Sequence, residues 1–243
     1  MAAMAGFRTI WAALVGMYEE TLVLLGGNLL AVALNVPLFL LVMVASSIVT
    51  GEAFSLVSVA LATLITFLPT PGNVALAGVT QVAAGPEIPQ LRVFTPTLRA
   101  HWGLASRCTI LGVLVLVGLL WNINFYAGLG SAWSLPVAML WVYATIIWLG
   151  LHVYVVPLAV HVAEPRVFDL YRRAAFISLG HAWYTFVLLL LLLVVTFAAV
   201  VFLPVYVLLA QSFVSLAQAH ALREIRRLHG DLVAETEEEA SSL

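Results

Sequence analysis

The chain has 243 residues and a net charge of −2, with 63% hydrophobic and 9% charged residues. Soluble domains run at about 45–50% and about 25%, so this composition cannot clothe a water-facing surface and calls for lipid as its solvent. The near-neutral charge removes any global pull toward nucleic acid, and the single Cys108 excludes an internal disulfide, a CxxC pair and a thiolate metal cluster.

Residues 1–20 hold Arg8 and an apolar stretch from Thr9 to Tyr18 that is too short to span a bilayer. Glu19-Glu20 stand where a cleavage site would need small residues. The segment therefore reads as an uncleaved N-terminal interfacial helix. Beyond it, residues 21–51, 53–86, 108–163 and 174–222 lack Asp, Glu, Lys and Arg. Crossing about 30 Å of hydrocarbon takes about 20 helical residues. The first two runs hold one span each. The third is too long for one and carries the turn-rich Ala127-Gly-Leu-Gly-Ser-Ala-Trp-Ser-Leu-Pro136, so it holds two.

The fourth run is interrupted only by Pro204 and reads either as one long helix or as two spans about a short turn. Arginine placement decides, because all ten basic residues are Arg. With two spans, Arg8, then Arg92, Arg99 and Arg107, then Arg166, Arg172 and Arg173, then Arg223, Arg226 and Arg227 fall on alternate loops. The opposite loops near 50–54, 127–135 and 203–206 hold none. That is the asymmetry of a cytoplasmic face. One long helix would strand three Arg outside. The expected fold is an all-α, polytopic transmembrane helical bundle of six spans with interfacial amphipathic helices. The spans fall at about 22–49, 55–83, 108–126, 136–162, 178–203 and 205–222, with both termini cytoplasmic. Trp102 and Trp183 mark the inner interface and Trp121 and Trp133 the outer one. Residues 223–243 form a basic helix end and an acidic tail expected to be disordered.

Within the spans, Asn28 and Asn35 share one helical face just before Pro37. Asn73 follows the break at Pro69-Thr-Pro71-Gly72, with Gln81 two turns on. Amides beside such breaks either bond between helices and satisfy freed backbone groups or line a polar pocket or pore. No Asp or Glu occupies the middle of a span, which disfavours proton- or sodium-coupled transport. His152 and His161 lie on opposite sides of one helix, so they cannot share a metal. No HExxH, paired carboxylate, Gly-rich phosphate loop or GxSxG motif occurs. Neither a cofactor nor an enzymatic activity is expected.

Two cytoplasmic segments pair aromatic residues with Arg. From Arg92, the residues Phe94, Leu98 and Trp102 form a stripe at i, i+4, i+8 with Arg99 beside it. Phe168 and Tyr171 sit beside Arg166, Arg172 and Arg173. These segments either rest on anionic lipid or dock a partner. Arg92-Val-Phe94 recurs as Arg166-Val-Phe168, and at the same offset Arg99 meets Arg173 and Ala100 meets Ala174, which suggests a repeated helix-plus-hairpin unit.

Asn28-Leu-Leu-Ala-Val-Ala-Leu-Asn-Val-Pro37, Thr70-Pro-Gly-Asn-Val-Ala-Leu-Ala77 and Phe94-x-x-x-Leu98-Arg99-x-x-Trp102 resemble segments of the YesL-like family of predicted bacterial membrane proteins. The likeness covers about residues 20–225, although in that family the Pro and the Thr-x-Gly segment are nearly contiguous, whereas here Leu38–Leu68 separates them. The family's biochemical activity is undefined, and its members are commonly encoded beside sugar-uptake ABC transporters. The resemblance implies a multi-pass protein of a bacterial inner membrane, non-enzymatic and accessory to an ABC-type carbohydrate uptake system. The expected partners are membrane lipid and ABC transporter subunits, with a homo-oligomer also open. The alternative is a passive channel or facilitator for a small polar solute.

Overall fold

The computed structural model describes residues 2–50, 61, 63–162 and 166–228. The first external loop at Glu52, the first part of the second expected span, His229 and the acidic tail lie outside the described residues. Every regular element among the described residues is helical. In chain order these are α1 (Ala2–Glu19), α2 (Thr21–Thr50), α3 (Pro71–Ala83), α4 (Phe94–Gly128), α5 (Ser134–His161), α6 (Val167–Gly180), α7 (Ala182–Val201) and α8 (Gln211–Leu228). A short turn, Leu203–Val205, and a π-helical turn, Tyr206–Ala210, lead into α8.

Among the described residues, four segments are long and apolar enough to cross a membrane: Thr21–Val44, Leu91–Gly128, Ser134–His161 and Ala182–Val201. The chain is thus a membrane protein, helical in every regular element among its described residues. The expected second span differs from a plain helix. The chain leaves helical geometry around Thr66–Thr70, and α3 starts at Pro71 with Thr70 as its N-cap, whose hydroxyl accepts from the Asn73 N–H (3.1 Å). Proline at the first helical position loses no intrahelical bond, so the break restarts the helix cleanly. The cytoplasmic stripe from Phe94 and the third span, read as two elements, are one uninterrupted helix of 35 residues. Charges at Arg99 and Arg107 mark a change of solvent, but they do not break a hydrogen-bond ladder. Pro96 falls in the first turn, where its missing N–H costs nothing.

The core is built around helices that are covered on all sides. α3 is buried from Gly72 to Thr80, and α8 from Gln211 to Ala219. α1, α2, α3 and α5 all pack on α8, while α4 runs along α3 and α5. Close approach depends on missing side chains at two glycines. A Cβ on Gly72 would lie 2.8 Å from the Ala31 carbonyl oxygen, and one on Gly78 would lie 2.5 Å from Thr97 Oγ1. After α7 the helix breaks at Phe202 and the chain reverses. Tyr184, near the start of α7, bonds to Thr9 (2.8 Å), and Glu224, near the end of α8, pairs with Arg8 (2.6 Å). Both ends of this hairpin therefore meet adjacent residues of α1, which lies between its arms. The outward surface is apolar: Trp102, Trp121, Trp133 and Trp183 are all exposed, as a lipid-facing belt requires.

Candidate functional site

Three of the intramembrane amides, Asn28, Asn35 and Asn73, converge on one seam between α2, α3 and the π turn that opens α8. Asn28 is fully buried. Its Nδ2 donates to the Val207 carbonyl (2.6 Å) and, at 3.4 Å, to that of Tyr206, while its Oδ1 accepts the Ser212 N–H (2.6 Å). A π turn takes backbone groups out of the α-helical ladder, and Asn28 supplies three of them with partners. Ser212 completes the contact by donating its hydroxyl to the Leu24 carbonyl (2.6 Å).

Asn35, two turns further along the same face of α2, donates to Asn73 Oδ1 (3.0 Å) and to Gln211 Oε1 (3.4 Å). The Asn73 amide then donates to the carbonyls of Leu68 (2.8 Å), Thr66 (3.1 Å) and Ile65 (3.4 Å), the groups freed where the helix breaks before α3. Gln211 Nε2 donates to the Tyr206 hydroxyl (3.2 Å), which also meets Thr66 Oγ1 (3.0 Å). A Thr80–Ser215 hydroxyl pair (2.8 Å) extends the seam along α3 and α8. The carbonyls of Ile65, Thr66 and Leu68 and each amide in the chain from Asn28 to Gln211 are thus met by protein. In a low-dielectric interior such bonds join helices, because an orphaned group there is costly.

Gln81 stands apart from this seam. Its backbone carbonyl accepts from Arg223 Nη2 (3.4 Å), while its buried side-chain nitrogen has no hydrogen-bond partner among the described residues. Arg223 also donates to the Ala84 carbonyl, so its guanidinium caps the C-terminus of α3. The members missed in the sequence are Thr66, Tyr206, Gln211 and Ser212. Gln211, Ser215 and Gln218 follow one another at helical spacing, the same signal that picked out Asn28 and Asn35.

The cytoplasmic stripes divide between inside and outside. Phe94 is buried against Ala31, Leu76 and Val79, and Leu98 packs at the edge of that cluster. Tyr171 is buried as well. Its ring stacks on Trp148 (5.2 Å between centroids, 5° between planes), and its hydroxyl bonds to His152 Nε2 (3.1 Å) and the Cys108 carbonyl (3.4 Å). Burial pushes the Tyr171 phenol above its ordinary range. These two aromatics anchor their helices and are not available for docking. Trp102, Phe168, Arg92, Arg99, Arg166, Arg172 and Arg173 remain exposed, with Arg172 in a loose pair with Asp169 (3.9 Å).

The repeat fails at the level of packing. Phe94 is 3% exposed and its counterpart Phe168 76%, whereas Ala100 is exposed and Ala174 buried. The cause is that α4 runs straight on, while α6 ends at Gly180 and turns at His181 before α7 begins. Among the described residues no three His, Cys, Asp or Glu side chains gather in a metal-binding arrangement. No family model, curated protein or solved structure matches the chain.

Proposed function

We propose that this protein is a six-span, non-enzymatic module of a bacterial inner membrane, a scaffold that presents a cytoplasmic docking face, and that it serves a carbohydrate uptake transporter. The observation that carries the scaffold reading is the closed seam: Asn28, Asn35, Asn73 and Gln211 spend their hydrogen bonds on backbone groups and on each other. A solute path would need those donors and acceptors to face a lumen. The fifth and sixth crossings are supported by the chain reversal at Phe202 and by the return of Glu224 to the level of Tyr184, and the cytoplasmic assignment by the one-sided placement of all ten Arg. The transporter assignment rests on the family resemblance.

The docking face consists of the exposed Trp102 and Phe168 with Arg99, Arg172 and Arg173. Aromatics and Arg are the residue types that concentrate interface energy. Purification from native membranes in mild detergent should bring down an ABC transporter subunit. Trp102→Ala with Phe168→Ala should weaken that capture while membrane insertion stays normal. Capture that survives these changes, or no captured subunit at all, overturns the docking face.

A further inference from the structure

We propose that the cleft between α1 and α8 is a binding site for a singly charged phosphate ester. A cavity of about 200 Å³ opens there, lined by Arg8, Thr9, Ala12, His220, Glu224 and Arg227. At about 30 Å³ per water, that space admits one tetrahedral phosphate.

The charges in the wall suit an anion. Arg8 Nη2 lies 2.6 Å from one Glu224 oxygen, and Arg227 Nε lies 4.0 Å from the other. One carboxylate faces two guanidiniums, so the cleft keeps a surplus of one positive charge before His220 is counted. Each guanidinium carries five N–H donors in a fixed fork. The contacts to Glu224 use one donor of Arg8 and place Arg227 at ion-pair distance, so further donors on both remain available to phosphate oxygens. His220 Nε2 is buried and has no hydrogen-bond partner among the described residues, the condition of a group that awaits one. Glu224 holds the two arginines in place and tempers their field. The net charge then matches a monoanionic phosphodiester better than a dianion.

Two sources offer that chemistry, a phospholipid headgroup and a soluble phosphate ester. Beside the cleft, α1 exposes Phe7 (60%) and Trp11 (68%), an apolar flank on which an acyl chain can lie. Placing the cleft at the cytoplasmic surface rests on the six-span reading; the binding chemistry does not.

The test uses the full chain in neutral detergent and in phosphatidylcholine nanodiscs. Its melting temperature is followed while phosphatidylglycerol or, separately, its soluble deacylated phosphodiester, glycerophosphoglycerol, is added. Phosphatidylglycerol should raise the melting temperature of the wild type. Arg227→Gln removes one fork from a side chain 63% exposed, so the fold should tolerate it. It should need about tenfold more phosphatidylglycerol for the same response, the loss of one charge-assisted contact. Ala12→Leu fills the cleft without changing charge and should abolish the response. Arg107→Gln, which loses the same charge at an exposed position outside the cleft, should respond like the wild type. A response to the lipid alone identifies a headgroup site, and an equal response to glycerophosphoglycerol identifies a soluble ester. If neither ligand shifts the wild type, if Arg227→Gln and Ala12→Leu both respond as it does, or if Arg107→Gln loses the response equally, the site does not exist. Partner capture is not measured here, so failure of the docking face and failure of this site are told apart.

Discussion

Replacing Asn28 by Leu, close in size and without polar atoms, tests whether the buried amides hold the bundle together. The change removes three bonds at once: those to the carbonyls of Val207 (2.6 Å) and Tyr206 (3.4 Å), and that from the Ser212 N–H (2.6 Å). Interhelical hydrogen bonds in membranes average about 0.6 kcal/mol, which puts the three together at about 2 kcal/mol. Each buried backbone group left without a partner costs about 1–3 kcal/mol, and the long Tyr206 bond contributes least, so the working figure is about 2–4 kcal/mol. That shifts the folding equilibrium by a factor of about 30 or more. Reversible unfolding in mixed micelles reads it directly. Asn28→Asp separates the parts, since it keeps an acceptor for Ser212 but turns an oxygen toward the Val207 carbonyl. It should be no better than Leu. Leu30→Ala, on the lipid-facing side of the same helix, should cost less than either. If Asn28→Leu unfolds within about 0.5 kcal/mol of the wild type, the range of an ordinary surface change, the seam does not bear on stability and the case for a closed scaffold falls.

Asn35→Leu removes one good bond to Asn73 and a long one to Gln211, and should cost about 1 kcal/mol in the same assay; unchanged stability together with loss of solute flux in liposomes would favour a channel instead. Gly78→Ala puts a methyl carbon 2.5 Å from Thr97 Oγ1, an overpacking expected to cost about 1–3 kcal/mol. Gly78→Ala with Thr97→Ala should recover much of that in a double-mutant cycle, and no recovery would mean that α3 and α4 do not meet there. Arg223→Leu strips the cap from the carbonyls of Gln81 and Ala84, and hydrogen exchange at the C-terminal end of α3 should quicken while α7 stays unchanged.

Composition and charge-free runs made the helical membrane class legible, and they located the four long apolar helices. The proline cluster at Pro69 and Pro71 marked the restart of α3, and the spacing of Asn28 and Asn35 put both amides on one buried face. What the sequence hid depends on partners far along the chain. Asn28 meets residues 206–212, and nothing local to Tyr206 announces a π turn whose carbonyls need an amide from α2. Phe94 and Phe168 end the same tripeptide, yet one is core and the other surface, because helical spacing defines a stripe without saying which neighbour covers it. Tyr171 looked like a docking residue for the same reason, and Trp148 and His152 take it inward. The boundary drawn near residue 108 followed charge, whereas backbone hydrogen bonding carried α4 through it.

Six crossings and four make opposite statements about one pair of positions. Between residues 131 and 235 a four-crossing chain passes the membrane twice, by α5 and α7, and leaves both positions on the same side. The six-span arrangement adds the return through α8 and separates them. In a Cys108→Ser background, single cysteines at Ser131 and Glu235 are labelled in intact cells with a membrane-impermeant maleimide, and again after permeabilisation. The account predicts that residue 131 labels in intact cells and residue 235 only once the membrane is opened. Labelling of both under the same condition would contradict it.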